Sequence, residues 1–258
     1  MASFILSLRL AWHVVVRNWV IYSKDFIANV SPTVTDPLLI ITSIGLGLSP
    51  LIQKMNGLSY AEFLAPGMIA STALFTAFFE CSYGFYVRMT YENVFKAMLT
   101  TPITVREVVL GEFIWVFIRA STMALGVSIV LLCLGLIPNP WVLLITPLLS
   151  GLLSLPCAAM GLLATTFVRN INQFQVVYSF LISPTYFLSG VFFPLEGRPV
   201  LETIVHFSPF YHGVRLLQFC VWEVYPWPEI IWHLCILILF TLILGSISLG
   251  RIDKKLTV

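Results

Sequence analysis

Residues 112–166 read EFIWVFIRASTMALGVSIVLLCLGLIPNPWVLLITPLLSGLLSLPCAAMGLLATT, and this stretch decides the fold of the chain. Its two apolar runs, 112–136 and 142–166, are each longer than the roughly 20 residues that a helix needs to cross a bilayer. A Pro-Asn-Pro turn at 138–140 joins them and leaves only a very short connection. The pattern predicts an antiparallel pair of membrane-spanning helices.

The composition extends this prediction to the whole chain. Of 258 residues, 59% are hydrophobic and 10% are charged, whereas about 25% of the residues in a soluble domain are charged. The formal net charge of +2 is too small to favour nucleic-acid binding. The five cysteines lie in or beside apolar runs without a C-x-x-C spacing, so we expect neither a disulfide framework nor a metal site.

We predict an all-α polytopic membrane protein with six spans. Residues 1–258 form one domain, with an interface helix (1–30), a six-span core (31–250) and a cytoplasmic tail (251–258). Thr35-Asp36-Pro37, a cap residue followed by proline, is predicted to open the first span. The predicted spans are 34–53, 63–86, 112–136, 142–166, 174–195 and 229–250.

Six spans place both termini on one side, and the Lys and Arg residues indicate which side that is. Ten of them lie on the side of the termini, three lie on the other side, and Arg119 lies inside a span. Both termini are therefore predicted to be cytoplasmic. The ten are Arg9, Arg17, Lys24, Arg88, Lys96, Arg106, Arg169, Arg251, Lys254 and Lys255, and the three are Lys54, Arg198 and Arg215.

Residues 4–26 have the pattern of an amphipathic helix rather than of a span. Trp12 and Trp19 fall on its apolar side, and Arg17 falls on its basic side. We predict a helix in the cytoplasmic interface, with its indoles in the headgroup layer and its bases toward anionic lipid or a partner. The alternative is a plain membrane anchor.

The longest polar stretch on the cytoplasmic side runs from Arg88 to Gly111. Its pattern predicts a short amphipathic helix at 91–101, which is a suitable lever for receiving force from a soluble partner. The alternative is an ordinary solvated loop helix. The candidate coupling residues are Tyr91, Glu92, Asn93, Lys96, Thr100 and Pro102.

The last external loop, residues 196–228, is not apolar enough to span a bilayer. We predict short helices that dip back into the outer leaflet, a geometry that needs surrounding protein or a wet cavity. The predicted external gate comprises Pro209, which starts a helix, with Tyr211, His212 and Arg215. The alternative is simple capping of the bundle.

Glu80 and Arg119 lie well inside predicted spans, away from the span ends, where an unpaired charge is costly. Glu80 precedes Arg88 on span two, and Arg119 follows Glu112 on span three by a similar distance. Because their depths match, we predict an intramembrane ion pair between Glu80 and Arg119. In the alternative, Arg119 extends to the inner headgroups and Glu80 is hydrogen-bonded alone.

Aromatic residues cluster in spans two and five. Their faces stack on sugar rings or contact acyl chains, and tyrosine hydroxyls form hydrogen bonds. The alternative is ordinary helix packing and interfacial belts. The translocation-path candidates are Phe75, Phe79, Tyr83, Tyr178 and Tyr186.

The sequence contains no phosphate loop, zinc-protease, serine-hydrolase or dinucleotide-binding motif. We therefore predict no catalytic residue, and ATP-driven transport would require an ATPase on another chain.

A series of short motifs follows one another over most of the chain. They are Asp36-Pro37, Gly45-Leu46-Gly47-Leu48, Tyr60-x-x-Phe63-Leu64-Ala65-Pro66-Gly67-Met68, Phe79-Glu80, Arg88-Met89-Thr90, Ala97–Thr104, Leu110-Gly111-Glu112, Phe187–Leu195 and Ser208-Pro209-Phe210-Tyr211-His212. In this order and spacing the chain resembles the ABC-2-type exporter permeases, and among them the NodJ-like lipooligosaccharide permeases.

The resemblance implies a dimeric six-span permease, expected as a homodimer, that docks two ATPase subunits on the cytoplasmic face of a bacterial inner membrane. It implies an interface helix at 4–26, a coupling helix at 91–101 and external gate helices at 196–224. ATP and magnesium would bind the partner ATPase, and this chain would hold no cofactor.

We expect the permease subunit of an ATP-driven exporter that moves an amphipathic glycolipid, lipooligosaccharide or lipid-linked polysaccharide outward. One alternative is an exporter of the same architecture for a hydrophobic drug or other small molecule. An ion-driven secondary transporter is disfavoured because the sequence has no second midplane carboxylate and no internal repeat. A membrane-embedded enzyme is disfavoured because His, Asp and Glu do not converge.

Overall fold

The computed structural model describes residues 2–44, 47, 52, 54–55, 57–195 and 197–257. Their regular structure is helical, which confirms the predicted all-α class. Gly45, Leu46 and Leu48 of one motif, and Glu196 of the predicted gate region, lie outside the described residues. The helices are α1 (Ala2–Lys24), α2 (Phe26–Ser43), α3 (Tyr60–Phe79), α4 (Phe85–Thr90), α5 (Val94–Met98), α6 (Val105–Cys133), α7 (Val142–Phe167), α8 (Gln173–Val177), α9 (Ser183–Leu188), α10 (Pro199–Val205), α11 (Pro209–Val221) and α12 (Trp227–Thr257).

Four helical stretches within the described residues are long and apolar enough to cross a membrane. They correspond to the predicted spans 63–86, 112–136, 142–166 and 229–250. The first of them joins α3 to α4 through a π-helical turn at Glu80–Gly84. The four stretches are Tyr60–Thr90, Val105–Cys133, Val142–Phe167 and Trp227–Leu256.

Two of these stretches begin with reciprocal side-chain caps. The Ser59 hydroxyl accepts from the Glu62 backbone N–H at 3.3 Å, while the Glu62 carboxylate accepts from the Ser59 N–H at 2.7 Å. Thr104 and Glu107 form the same arrangement before α6. Both pairs satisfy backbone donors that the first turn of a helix leaves free, and they locate the starts of α3 and α6.

The predicted start of the first span is wrong. Helix α2 begins at Phe26, because the backbone N–H and the side-chain amide of Asn29 both donate to the Asp25 carbonyl, at 2.9 and 3.0 Å. Asp36 consequently lies inside α2 rather than at its cap. Within the predicted span 34–53, most of the residues after Ile44 lie outside the described residues.

The predicted end of the fifth span is also wrong. The helical segment from Gln173 to Leu188 has 16 residues and includes a π turn at Tyr178–Ile182. It ends at Leu188 rather than Leu195 because the chain turns at Gly190, whose φ of +82° is left-handed. At 1.5 Å per residue this segment is about 24 Å long, shorter than a bilayer core of about 30 Å.

Helix α7 lies at the centre of the molecule and packs against α3, α6, α11 and α12. Gly161 allows the π turn of span two to approach it, because a Cβ at this position would lie 2.9 Å from the Phe78 carbonyl oxygen. Helix α1 packs along α6 at Gly111, where a Cβ would lie 2.8 Å from the Ala11 carbonyl oxygen. These close approaches hold span two against α7 and α1 against α6.

The predicted coupling helix at 91–101 is shorter than expected. Asn93 adopts a left-handed conformation with φ 53° and interrupts the chain after α4, so α5 contains only Val94–Met98. Tyr91, Glu92 and Asn93 therefore lie in a turn before the helix, and Thr100 and Pro102 lie after it.

Candidate functional site

The carboxylate of Glu80 binds two arginines toward the C-terminal end of span two. Arg119 Nη1 donates to Oε2, which is the ion pair that the sequence predicted. Arg88 Nη1 donates to Oε1 at 2.6 Å, and the sequence did not predict this second partner. Glu80 and Arg88 are eight residues apart. In a regular α-helix, positions seven apart share a face. The π turn adds one residue between them, so Arg88 comes to lie on the same face as Glu80.

A chain of polar contacts continues from Glu80 to helix α1. Arg88 Nη2 donates to the fully buried Glu112 carboxylate at 2.8 Å. Asn18 Nδ2 donates to the other Glu112 oxygen at 3.2 Å, and Arg17 Nη1 donates to Asn18 Oδ1 at 2.9 Å. Arg17 also lies 4.0 Å from Glu92 in the turn before α5. The contacts thus connect α1, the turn, α4, α6 and Glu80; we call them the polar network.

The charges at the centre of the polar network balance. Glu80 and Glu112 oppose Arg88 and Arg119, so each of the four has an opposite charge within hydrogen-bond distance. The Arg119 guanidinium also lies 4.9 Å from the centroid of the Tyr22 ring of α1. Buried charges are tolerated when they are paired in this way, and the loss of one member leaves its partner uncompensated.

A cavity of about 680 Å³ opens beside the polar network. All five translocation-path candidates line it, together with both members of the predicted ion pair. The sequence identified these as separate features, and the structure places them around one space. The lining residues are Asp36, Ile40, Met68, Ser71, Thr72, Phe75, Thr76, Phe79, Glu80, Tyr83, Gly84, Arg88, Arg119, Tyr178 and Tyr186.

The helical segment Gln173–Leu188 is called the segment α8–α9. Ring contacts between α3 and this segment form one wall of the cavity. Phe79 stacks on Tyr178, with centroids 5.7 Å apart and planes inclined by 23°. Phe75 meets Tyr186 edge to face at 5.1 Å. The aromatic wall and the charged end occupy successive parts of span two, so the cavity is amphipathic along its length.

The apolar and basic sides of α1 are oriented only partly as predicted. Trp12 and Trp19 are about half exposed, at 51% and 49%, which leaves their indoles free to contact lipid headgroups. Arg17 was predicted to face lipid or a partner, but it turns into the polar network because neighbouring Asn18 is buried against α6. Part of the predicted membrane-facing side, including Ala11 and Val15, is buried against the bundle.

The coupling candidates lie around Phe95, a buried aromatic residue of α5. Phe95 of α5 is fully buried and packs on Phe85, with ring centroids 4.4 Å apart. Glu92 and Lys96 are exposed beside it, available to a soluble partner. Tyr91, another coupling candidate, is 59% exposed because it lies in the turn before α5.

The predicted external gate is packed into the bundle through α11. Pro209 starts α11 at its first turn, as predicted, and Tyr211 is almost fully buried. Arg215 Nη1 donates to Gln218 Oε1 at 3.2 Å, and its guanidinium lies 4.9 Å from the Phe219 ring centroid. Helix α11 contacts α3, α7 and α12, so this segment is part of the core.

A histidine pair joins α11 to α12. His212 is fully buried, and its Nδ1 lies 2.6 Å from Nδ1 of His233. His212 Nε2 lies 3.0 Å from the His206 carbonyl oxygen, which only accepts, so we assign the proton of neutral His212 to Nε2. His233 Nδ1 must then donate to His212, and burial lowers the pKa of His212 below its ordinary value.

Sequence reasoning missed Arg88, Glu112, Asn18 and His233 as members of these sites. Arg88 and Glu112 are each a charge beside an apolar run, a pattern that indicates the end of a span and does not specify a partner. His233 is a polar residue inside an apolar span, which is the signal that identified Glu80. The described residues contain no group of three or more His, Cys, Asp or Glu side chains able to hold a metal ion.

Comparison with known proteins identifies the family of the chain. The family model described as ABC-2 type transporter matches residues 9–222, and the chain belongs to this family. It is therefore the membrane-embedded permease subunit of an ABC transporter, a multi-pass protein that operates with a partner ATPase and is not itself catalytic.

Particular relatives lie among nodulation proteins. Nodulation protein J of Rhizobium leguminosarum bv. viciae is 32% identical over 204 residues, covering 78% of each chain. Nodulation protein J of Rhizobium leguminosarum bv. trifolii is 30% identical over 240 residues, covering 91% of this chain and 90% of the relative. The inner membrane transport permease YadH of Escherichia coli (strain K12) is 23% identical over 201 residues, covering 76% and 73%. No solved structure matches the chain.

Proposed function

We propose that this permease exports an amphipathic glycolipid, such as a lipooligosaccharide or lipid-linked polysaccharide, outward across a bacterial inner membrane. The observation that carries the proposal is the amphipathic cavity, with Glu80, Arg88 and Arg119 at one end and an aromatic wall along its side. Charged and hydroxyl groups suit the polar part of such a substrate, and ring faces suit sugars or acyl chains. The similarity to nodulation J proteins supports the same class.

The polar network provides a route for coupling. The partner ATPase would bind ATP and magnesium and contact the exposed turn around Glu92 and Lys96. Movement of this turn would reach the cavity through Arg17, α6 and the arginines that hold Glu80, because these groups are in direct contact. Buried, paired charges are suited to this role because they do not shift independently.

The proposed membrane arrangement has six crossings. Four crossings are the long stretches. The fifth is α2 with the residues after it, and the sixth is the segment α8–α9 with its irregular continuation. Helices α10 and α11 dip into the bundle from outside as the gate, α1 lies in the inner interface, and both termini are cytoplasmic. Two copies of the chain form a homodimer with two ATPase subunits.

Reconstitution with the partner ATPase tests the substrate class. We expect an acylated oligosaccharide to stimulate ATP hydrolysis in proteoliposomes, and the deacylated sugar and the free fatty acid to have little effect, because only the joined molecule fills both parts of the cavity. Equal stimulation by a hydrophobic dye alone would contradict the glycolipid assignment and favour export of hydrophobic small molecules.

Co-purification of the ATPase tests the docking surface separately. We expect Lys96→Glu to weaken the association several-fold, while Lys54→Glu, an exposed charge on the other side of the membrane in this arrangement, leaves it unchanged. An unaltered association in Lys96→Glu would remove the turn from the docking surface without bearing on the substrate.

A further inference from the structure

A second cavity, of about 510 Å³, shares no lining residue with the amphipathic cavity. The ends of three candidate spans meet there, at Thr90, Phe167 and Leu256. Its position is therefore at the boundary between the apolar bundle and water, where lipid headgroups reside. The lining residues are Tyr86, Thr90, Thr166, Phe167, Val168, Arg169 and Lys255.

The lining of this cavity is basic. It contains Lys255 and Arg169, and none of the seven residues is acidic. Arg251, one turn before Lys255 on α12, places its guanidinium 4.1 Å from the ring centroid of Phe167, which is itself in the lining. Two cations thus line this space, and a third lies against the Phe167 ring of its wall.

Lys255 is held in position for a ligand. Its ammonium donates to the carbonyl oxygens of Thr165 and Val168 at 2.7 and 3.3 Å, and lies 5.7 Å from the Tyr86 ring centroid. An ammonium has three donors, so one remains for a group inside the cavity. The Tyr86 hydroxyl donates to the Arg169 carbonyl at 2.8 Å and anchors the backbone that carries the second cation.

We propose that this cavity binds the phosphodiester headgroup of an anionic phospholipid. The two cations and the exposed Thr90 hydroxyl supply donors for phosphate oxygens, and Phe167, which is 60% exposed, supplies an apolar surface beside them for the acyl chain. Basic pockets between helix ends on the cytoplasmic side are suited to such headgroups. An acidic segment of a soluble protein would pair with the cations, but it would not account for the exposed phenyl ring of Phe167 beside them.

Thermal unfolding of the full-length chain in neutral detergent tests the proposal. We expect phosphatidylglycerol to raise the unfolding midpoint of the unaltered protein, and phosphatidylcholine to have a much smaller effect. Arg169→Gln is the main variant, because the backbone N–H of Arg169, not its side chain, makes the hydrogen bond to Gln173. We expect at least a fivefold loss of apparent affinity for phosphatidylglycerol in Arg169→Gln and in Lys255→Gln.

Lys254→Gln is the matched control, since Lys254 is exposed and does not line the cavity. It should keep the full response to phosphatidylglycerol. An equal response in all three variants, or none in the unaltered protein, overturns the proposal. A comparable shift produced by inorganic phosphate would assign the cavity to a free anion, and loss of ATPase association with an unchanged lipid response would assign it to a protein contact; each result also overturns the lipid assignment.

Discussion

Glu80 lies between Arg88 and Arg119, and this position determines what substitutions there will do. Replacing Glu80 by Gln leaves Arg119 without a carboxylate partner and leaves Arg88 with Glu112 alone. We expect Glu80→Gln to lower the free energy of unfolding by about 3 kcal/mol, because it leaves an uncompensated buried charge. Unfolding in detergent micelles measures the loss, and Glu229→Gln, at an exposed position, should stay within about 0.5 kcal/mol of the parent.

Exchange of the two charges provides the decisive comparison. A simple pair would be restored by combining Glu80→Arg with Arg119→Glu, but here the arginine at position 80 faces Arg88. We expect the double exchange to be no more stable than Glu80→Gln. Full restoration would show that Arg88 is not a partner of Glu80.

His212 gives the protein a pH dependence with a definite sign. Because burial lowers its pKa in the folded chain, the unfolded chain takes up the proton first as pH falls. Stability should therefore decrease on acidification from about pH 6.5. The groups around His212 are the carbonyl and the imidazole of His206, the ring of Tyr211 and His233 of α12.

The measurement compares unfolding midpoints at pH 7.5 and pH 5.5. His212→Gln keeps an amide donor for the His206 carbonyl but does not titrate, so the midpoint should change less with pH than in the parent. His13→Gln, on the exposed side of α1, serves as the control and should retain the parental slope. Identical slopes in the parent and His212→Gln would exclude His212 as the source.

At the scale of elements, the contact between α1 and α6 depends on Gly111. A side chain there would meet Val14 at 2.6 Å and the Ala11 carbonyl oxygen at 2.8 Å, so Gly111→Leu should force α1 away and break the contact between Asn18 and Glu112. We expect a destabilisation of about 1–3 kcal/mol from overpacking. Gly250→Leu is the control because its Cβ would have no neighbour within 4 Å.

Displacement of α1 can be read directly through Asn18, which is 4% exposed. In a background carrying Asn18→Cys, we expect Gly111→Leu to increase the rate of maleimide labelling several-fold, while Gly250→Leu leaves it unchanged. Slow labelling in the presence of Gly111→Leu would mean that α6 moves to accommodate the new side chain while α1 keeps its position.

At the scale of the whole molecule, the amphipathic cavity exists only because α2, the span containing α3 and α4, α6 and the segment α8–α9 surround one space. Truncating the stacked ring in Phe79→Ala should lower substrate-stimulated ATP hydrolysis by about two- to tenfold, the range expected for losing one aromatic contact. Phe180→Ala is the control, since Phe180 is 82% exposed and outside the cavity lining. A similar loss in both variants would point to general weakening of the segment.

The sequence alone determined the features that depend on local pattern. Apolar run length predicted six spans, and four of them correspond to helical stretches long and apolar enough to cross a membrane. The cost of an isolated charge in a bilayer predicted that Glu80 meets Arg119. The residues of the two capping boxes determine where α3 and α6 begin. The aromatic candidates were also identified from the sequence, because aromatic residues cluster in spans two and five.

Tertiary structure decided the features that depend on contacts between distant segments. The π turn that brings Arg88 to Glu80, the buried Asn18 that turns Arg17 inward, and the contact of His212 with His233 all require neighbours that no local pattern specifies. The left-handed residues Asn93 and Gly190 likewise shortened two predicted helices. Periodicity reports which face of a helix is apolar, but the partner of that face, and therefore the cavity and the polar network, is selected only when the helices pack.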